Sequence, residues 1–104
     1  MVTVKVTLSN SSITGMEIKG HAGSGEYGKD LVCAGVSSIA VGLLNALDTL
    51  CPDTCEMNMS EGYVSIKVNQ ITEENQVILK VGKIQLETIE LTNKKFIRIK
   101  KVEV

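Results

Sequence analysis

Tryptophan is absent from this 104-residue chain, and Tyr27, Tyr63 and Phe96 are its whole aromatic complement. With a net charge of −1 and a pI near 5.8, it lacks both the stacking platforms and the basic stripe of a nucleic-acid binder, so no such partner is expected. The one basic cluster, Lys94, Lys95, Arg98, Lys100 and Lys101, straddles a helix end and a terminal strand, where cations commonly sit. Proline is nearly missing too: Pro52 stands alone, and no linker, repeat or low-complexity run divides residues 1–104, which read as one domain. His21 is the single histidine, so any imidazole chemistry must pass through it. The longest apolar stretch, residues 31–50, is interrupted by Ser37, Ser38, Asn45 and Asp48 and is expected to be a buried helix, with no membrane partner. The opening MVTVKVTLSN alternates like a strand instead of pairing a charged leader with an apolar block, and a cytoplasmic chain is expected. Three cysteines, an odd number, argue for reduced thiols over a disulfide framework.

What is present is strong periodicity. Residues 2–9 set Val2, Val4, Val6 and Leu8 on one face, and residues 12–20 continue the hairpin with Met16 and Ile18 inward and His21 on the outward parity at its end. A glycine-rich connection follows. From Asp30, a good N-cap, Val32, Val36, Ile39, Leu43, Leu47 and Leu50 recur at helical spacing until Pro52. Residues 55–59 and 63–68 form a second hairpin around Ser60-Glu61-Gly62, with Met57, Met59, Val64, Ile66 and Val68 expected inward. Thr72, with Asn75 three places on, opens a second helix to about residue 93 whose inner stripe is expected to be Val77, Val81, Ile84, Thr88 and Leu91. Residues 96–104 make a fifth strand. The order strand, strand, helix, strand, strand, helix, strand predicts an α+β domain with two helices packed on a mainly antiparallel sheet.

The segment from His21 to Cys33 carries the chemistry. A histidine at a strand end, a returning loop, and a cysteine in the first turn of the next helix are what a thiol nucleophile and its base require. Cys33 would be the third helical residue, where the positive end of the helix favours a thiolate and backbone amides could hold an oxyanion. Taken singly, Cys33 reads more readily as a small buried hydrophobe and His21 as a solvated strand-end residue. Asp30 is either an N-cap or an orienting third member. Ser37, one turn past Cys33, either borders the site or bonds back to a carbonyl.

The runs Gly20-His21-Ala22-Gly23 and Gly28-Lys29-Asp30-Leu31-Val32-Cys33-Ala34-Gly35-Val36-Ser37 resemble the signature of the ribosomal-processing cysteine proteases of Firmicutes and related bacteria. That family pairs a glycine-histidine-alanine motif with glycine-x-aspartate-x-valine-cysteine-alanine-alanine-valine-serine. Gly35 departs from its usual alanine. The resemblance implies that Cys33 is the nucleophile and His21 the base, with no metal or cofactor. The implied substrate is a large-subunit ribosomal protein whose short N-terminal extension is removed, and the implied assembly is a homodimer packed through helix faces. The loop Ala22, Gly23, Ser24, Gly25, Glu26, Tyr27 and Gly28 is then expected to close over the substrate.

Three rival readings remain. Gly23 to Asp30 matches the phosphate-binding pattern G-x-x-x-x-G-K-[ST] except at Asp30, where a carboxylate would repel phosphate. His21, Cys33, Cys51 and Cys55 have the composition of a Cys3His zinc site without its knuckle spacing. A non-catalytic or redox-sensing ribosome-associated module using Cys33 is the competitor from another class.

Overall fold

A computed structural model describes residues 1–23, 25–26 and 30–104. Strands β1 (Val2–Ser9) and β2 (Ser12–Lys19) form a hairpin, α1 (Leu31–Leu50) crosses the sheet, β3 (Cys55–Ser60) and β4 (Tyr63–Val68) form a second hairpin, and α2 (Glu73–Thr92) leads to β5 (Ile97–Glu103). The strands are ordered β3-β4-β2-β1-β5, and all pair antiparallel except β5, which runs parallel to β1. Period-two alternation sends Val2, Val4, Val6, Met16, Ile18, Val64, Ile66 and Ile97 into one core with the helices. The other face shows Lys5, Lys19, Lys67 and Arg98 to solvent.

β2 changes parity before it reaches its turn. The register slips between Thr7 and Leu8, so Ile13 joins the core although Met16 and Ile18 lie on the opposite parity. β4 pairs with β2 only as far as Gly15, leaving the backbone of Ile13 open on that side. The Gln76 side chain takes β4's place: its Oε1 accepts from the Ile13 N–H at 2.7 Å and its Nε2 donates to the Ile13 carbonyl at 2.8 Å.

That bond decides which face of α2 is buried. A capping box between Thr72 and Asn75 starts the helix. The Asn75 Nδ2 also donates to the Gln70 carbonyl at 2.8 Å and to Thr54 Oγ1 at 3.1 Å. With both amides turned inward, the core face is Asn75, Gln76, Leu79, Gly82 and Leu86. The expected stripe lies on the outside instead: Val77 is 56 % exposed and Leu91 71 %, with Val81 and Ile84 between them. Buried amides that satisfy backbone groups outweighed the apolar pattern, because an unpaired buried carbonyl or N–H costs about 1–3 kcal/mol. Two smaller corrections concern the last turn of α1 and the end of β3. Leu50 is exposed while Ala40 enters the core, and Met59, expected inward, is 61 % exposed.

Candidate active site

Asp30 takes the N-cap of α1, its Oδ1 accepting from the Cys33 N–H at 3.0 Å, which makes Cys33 the third helical residue. The carboxylate thereby occupies the end of the helix that a phosphate would need. The sulfur of Cys33, half-buried, accepts from the Ala22 N–H at 3.0 Å. That bond fixes where the sulfur points, at the positive end of a 20-residue helix.

Ala22 follows His21, so this one bond brings the end of β2 against the start of α1. The exposed His21 is held from its other side by the second hairpin. The Gly20 N–H donates to the Gly62 carbonyl at 3.0 Å, and the imidazole lies over Gly62, where a Cβ would stand 3.0 Å from His21 Nε2. Gly62 has φ +68°, so glycine serves there both as the turn residue and as room for the ring. Among the described residues no hydrogen bond joins imidazole to sulfur, an arrangement common in apo thiol enzymes, whose catalytic pairs tighten on substrate.

His21, Cys33 and Ser37 line two adjoining clefts. One, of about 150 Å³, runs between α1 and the β3–β4 hairpin with Val36, Ala40, Val41, Met59 and Val64 in its walls. The wider one, about 450 Å³, is bordered by Gly23, Gly25, Asp30, Ala34 and Glu61. The expected site residues His21, Cys33, Asp30 and Ser37 are thus together, with buried Ala22 bonded to the sulfur and exposed Gly23 and Gly25 on the rim, while Glu26 is exposed and lines neither cleft. Ser24, Tyr27 and Gly28 lie outside the described residues. Sequence reasoning missed Gly62, Glu61, Met59 and the Ala22 amide. Gly62 was visible only as a hairpin glycine, since its contact with His21 depends on the pairing of β2 with β4.

The other cysteines are elsewhere. Cys51 caps the far end of α1, about 27 Å from Cys33 at 1.5 Å per residue, and Cys55 begins β3. Burial pushes the Cys55 thiol up, the hydrogen bond with the Thr54 hydroxyl offsets part of this, and neighbouring Cys51 adds a smaller upward push.

Residues 1–98 match the family described as Cysteine protease Prp. The chain is 36 % identical over 94 residues to the ribosomal processing cysteine protease Prp of Staphylococcus aureus strain Mu50, covering 86 % of this chain and 89 % of that one. A crystal structure of the S. aureus essential ribosomal processing protease Prp with a covalently linked product peptide superposes with a TM-score of 0.91 at 34 % identity, over 97 % of this chain and 99 % of that one. The same protease with a substrate peptide superposes with a TM-score of 0.81 at 30 % identity and the same coverage.

Proposed function

Because the chain belongs to the Prp family of ribosomal-processing cysteine proteases, we propose that Cys33 is its nucleophile and His21 its general base, and that it removes the N-terminal extension of a large-subunit ribosomal protein in the cytoplasm. The observation that carries this reading is the sulfur of a first-turn cysteine, bonded to the amide next to the only histidine and open to clefts that both residues line.

The imidazole takes the thiol proton as sulfur attacks the scissile carbonyl, then returns it to the departing amine as the C–N bond breaks. Water, deprotonated by the same imidazole, hydrolyses the thioester and regenerates the thiol. Nucleophile and base are side chains of this chain, so the cycle needs no metal or cofactor. The Cys33 N–H is engaged by Asp30, which makes the cap a positioning device, and the Ala22 N–H, which points at the sulfur, holds it in place for attack. The apolar cleft accepts an apolar side chain beside the scissile bond, and the segment bearing Gly23 and Gly25 closes over the wider one.

The exposed stripe Val77, Val81, Ile84 and Leu91 supports a homodimer packed through helix faces. Sedimentation should give a dimer that Val81→Glu dissociates.

The deciding experiment incubates the protein with the N-terminally extended ribosomal protein and reads the product mass. Loss of one N-terminal segment, abolished by Cys33→Ala or His21→Ala, is the expected result. An intact precursor accompanied by reversible oxidation of Cys33 would favour the redox module instead.

A further inference from the structure

The sheet ends in two edges, and only one is closed. On β5 the Ile99 N–H is taken by Glu90 Oε2 at 2.8 Å, Lys101 is bridged to Glu87 at 3.6 Å, and Arg98 and Lys100 add charge along the strand. These are the devices by which proteins keep a strand from pairing with another chain. On β3 they are missing: Cys55–Ser60 carries one charge, Glu56, and among the described residues no side chain bonds to the backbone of Met57 or Met59.

The register says which backbone groups face outward. Ser60 pairs with Tyr63 across the two-residue turn, and hydrogen-bonded and non-hydrogen-bonded pairs then alternate, so Met57 and Met59 direct N–H and C=O away from β4. The open edge runs into the candidate active site, because Met59 and Ser60 line the cleft that holds Cys33 and His21. We infer that the substrate docks by strand addition: an extended segment beside its scissile bond pairs with the open edge of β3 at Met57 and Met59. This rests on the protease reading above and deepens it. A one-domain protease has no second lobe to grip a peptide. Backbone pairing along a strand orders an extended chain whatever its side chains, while the apolar cleft selects alternate residues.

The test uses a synthetic peptide spanning the N-terminal extension and the first mature residues of a bacterial large-subunit ribosomal protein. With the full-length Cys33→Ala variant at saturating peptide, hydrogen exchange at the Met57 and Met59 amides should slow at least about tenfold while β5 amides do not change. In steady state, Met57→Pro removes one outward N–H at a site where an edge strand tolerates proline, and should raise KM about fivefold with little change in kcat. Met57→Val keeps the amide and should restore the wild-type KM. Methylating successive peptide amides should impair cleavage at every second position only. Bound peptide with unprotected Met57 and Met59, or no alternation on methylation, overturns strand addition. Protection of both amides with no cleavage by the wild type overturns the protease reading and leaves the docking edge standing.

Discussion

The two ends of α1 each carry cysteine, and their surroundings differ. At the N-terminal end, Cys33 meets an amide from another element, borders two clefts and has the helix start behind it. At the C-terminal end, Cys51 is 8 % exposed, and its carbonyl accepts from Thr54 Oγ1 at 2.8 Å within a network that runs through Asn75 to Gln70. Cys55, beside it, keeps its proton more tightly because burial disfavours its charged form. The same residue type borders open clefts at one end and sits in a closed hydrogen-bond network at the other.

Alanine at either end tests this most severely. Cys33→Ala should lower kcat at least about 10³-fold and leave the melting temperature nearly unchanged, and adding His21→Ala should cost little more because the pair acts as a unit. Cys51→Ala should do the reverse, retaining kcat and losing roughly 1 kcal/mol of stability in a thermal melt. Alkylation sharpens the contrast: brief iodoacetamide treatment at neutral pH should label Cys33 at least about tenfold faster than Cys55, whose raised pKa leaves less thiolate. Mass mapping of the alkylated peptides reads it, and faster labelling of Cys51 or Cys55 would erase the distinction.

Asn75→Ala strips the network at the structural end. It leaves the Gln70 carbonyl and the Thr54 hydroxyl short of a donor and opens the capping box, so chemical denaturation should show a loss of about 2–3 kcal/mol without a change in kcat below the melting range. Gly62→Ala acts at the reactive end, where the new Cβ pushes on His21 Nε2. About a tenfold fall in kcat is expected, with about 1 kcal/mol of backbone strain. The smallest effect is at Gly35, whose Cβ would meet only the tip of Ile89 at 3.3 Å: Gly35→Ala should stabilise α1 by about 0.5–1 kcal/mol and leave cleavage unaltered.

The poised end was readable from sequence because its signals are local. Asp30 three places before Cys33 announces a cap, a glycine loop announces a return, and the period-two runs set the strand boundaries to within a residue or two. The inner face of α2 was hidden, since the helix carries two apolar stripes and the choice between them was made by Asn75 and Gln76 answering backbone groups 5 and 63 positions away in the chain. No sequence pattern exposes that demand. The parallel pairing of β5 with β1 was likewise settled by partners distant in sequence.

That parallel pairing sets an order of events during synthesis. Val2, in the wall of the apolar cleft, pairs with Ile97 and donates from its N–H to the Phe96 carbonyl at 2.8 Å. β1 must therefore wait for β5 before its outer side is paired, and contacts this distant in sequence form late. A nascent chain still short of residue 97 exposes β1 as a sheet edge and has one wall of its cleft unsupported. The cleft wall at Val2 is therefore completed only when β5 docks, so assembly of the site is a late step of folding that depends on a strand with no residue in the cleft.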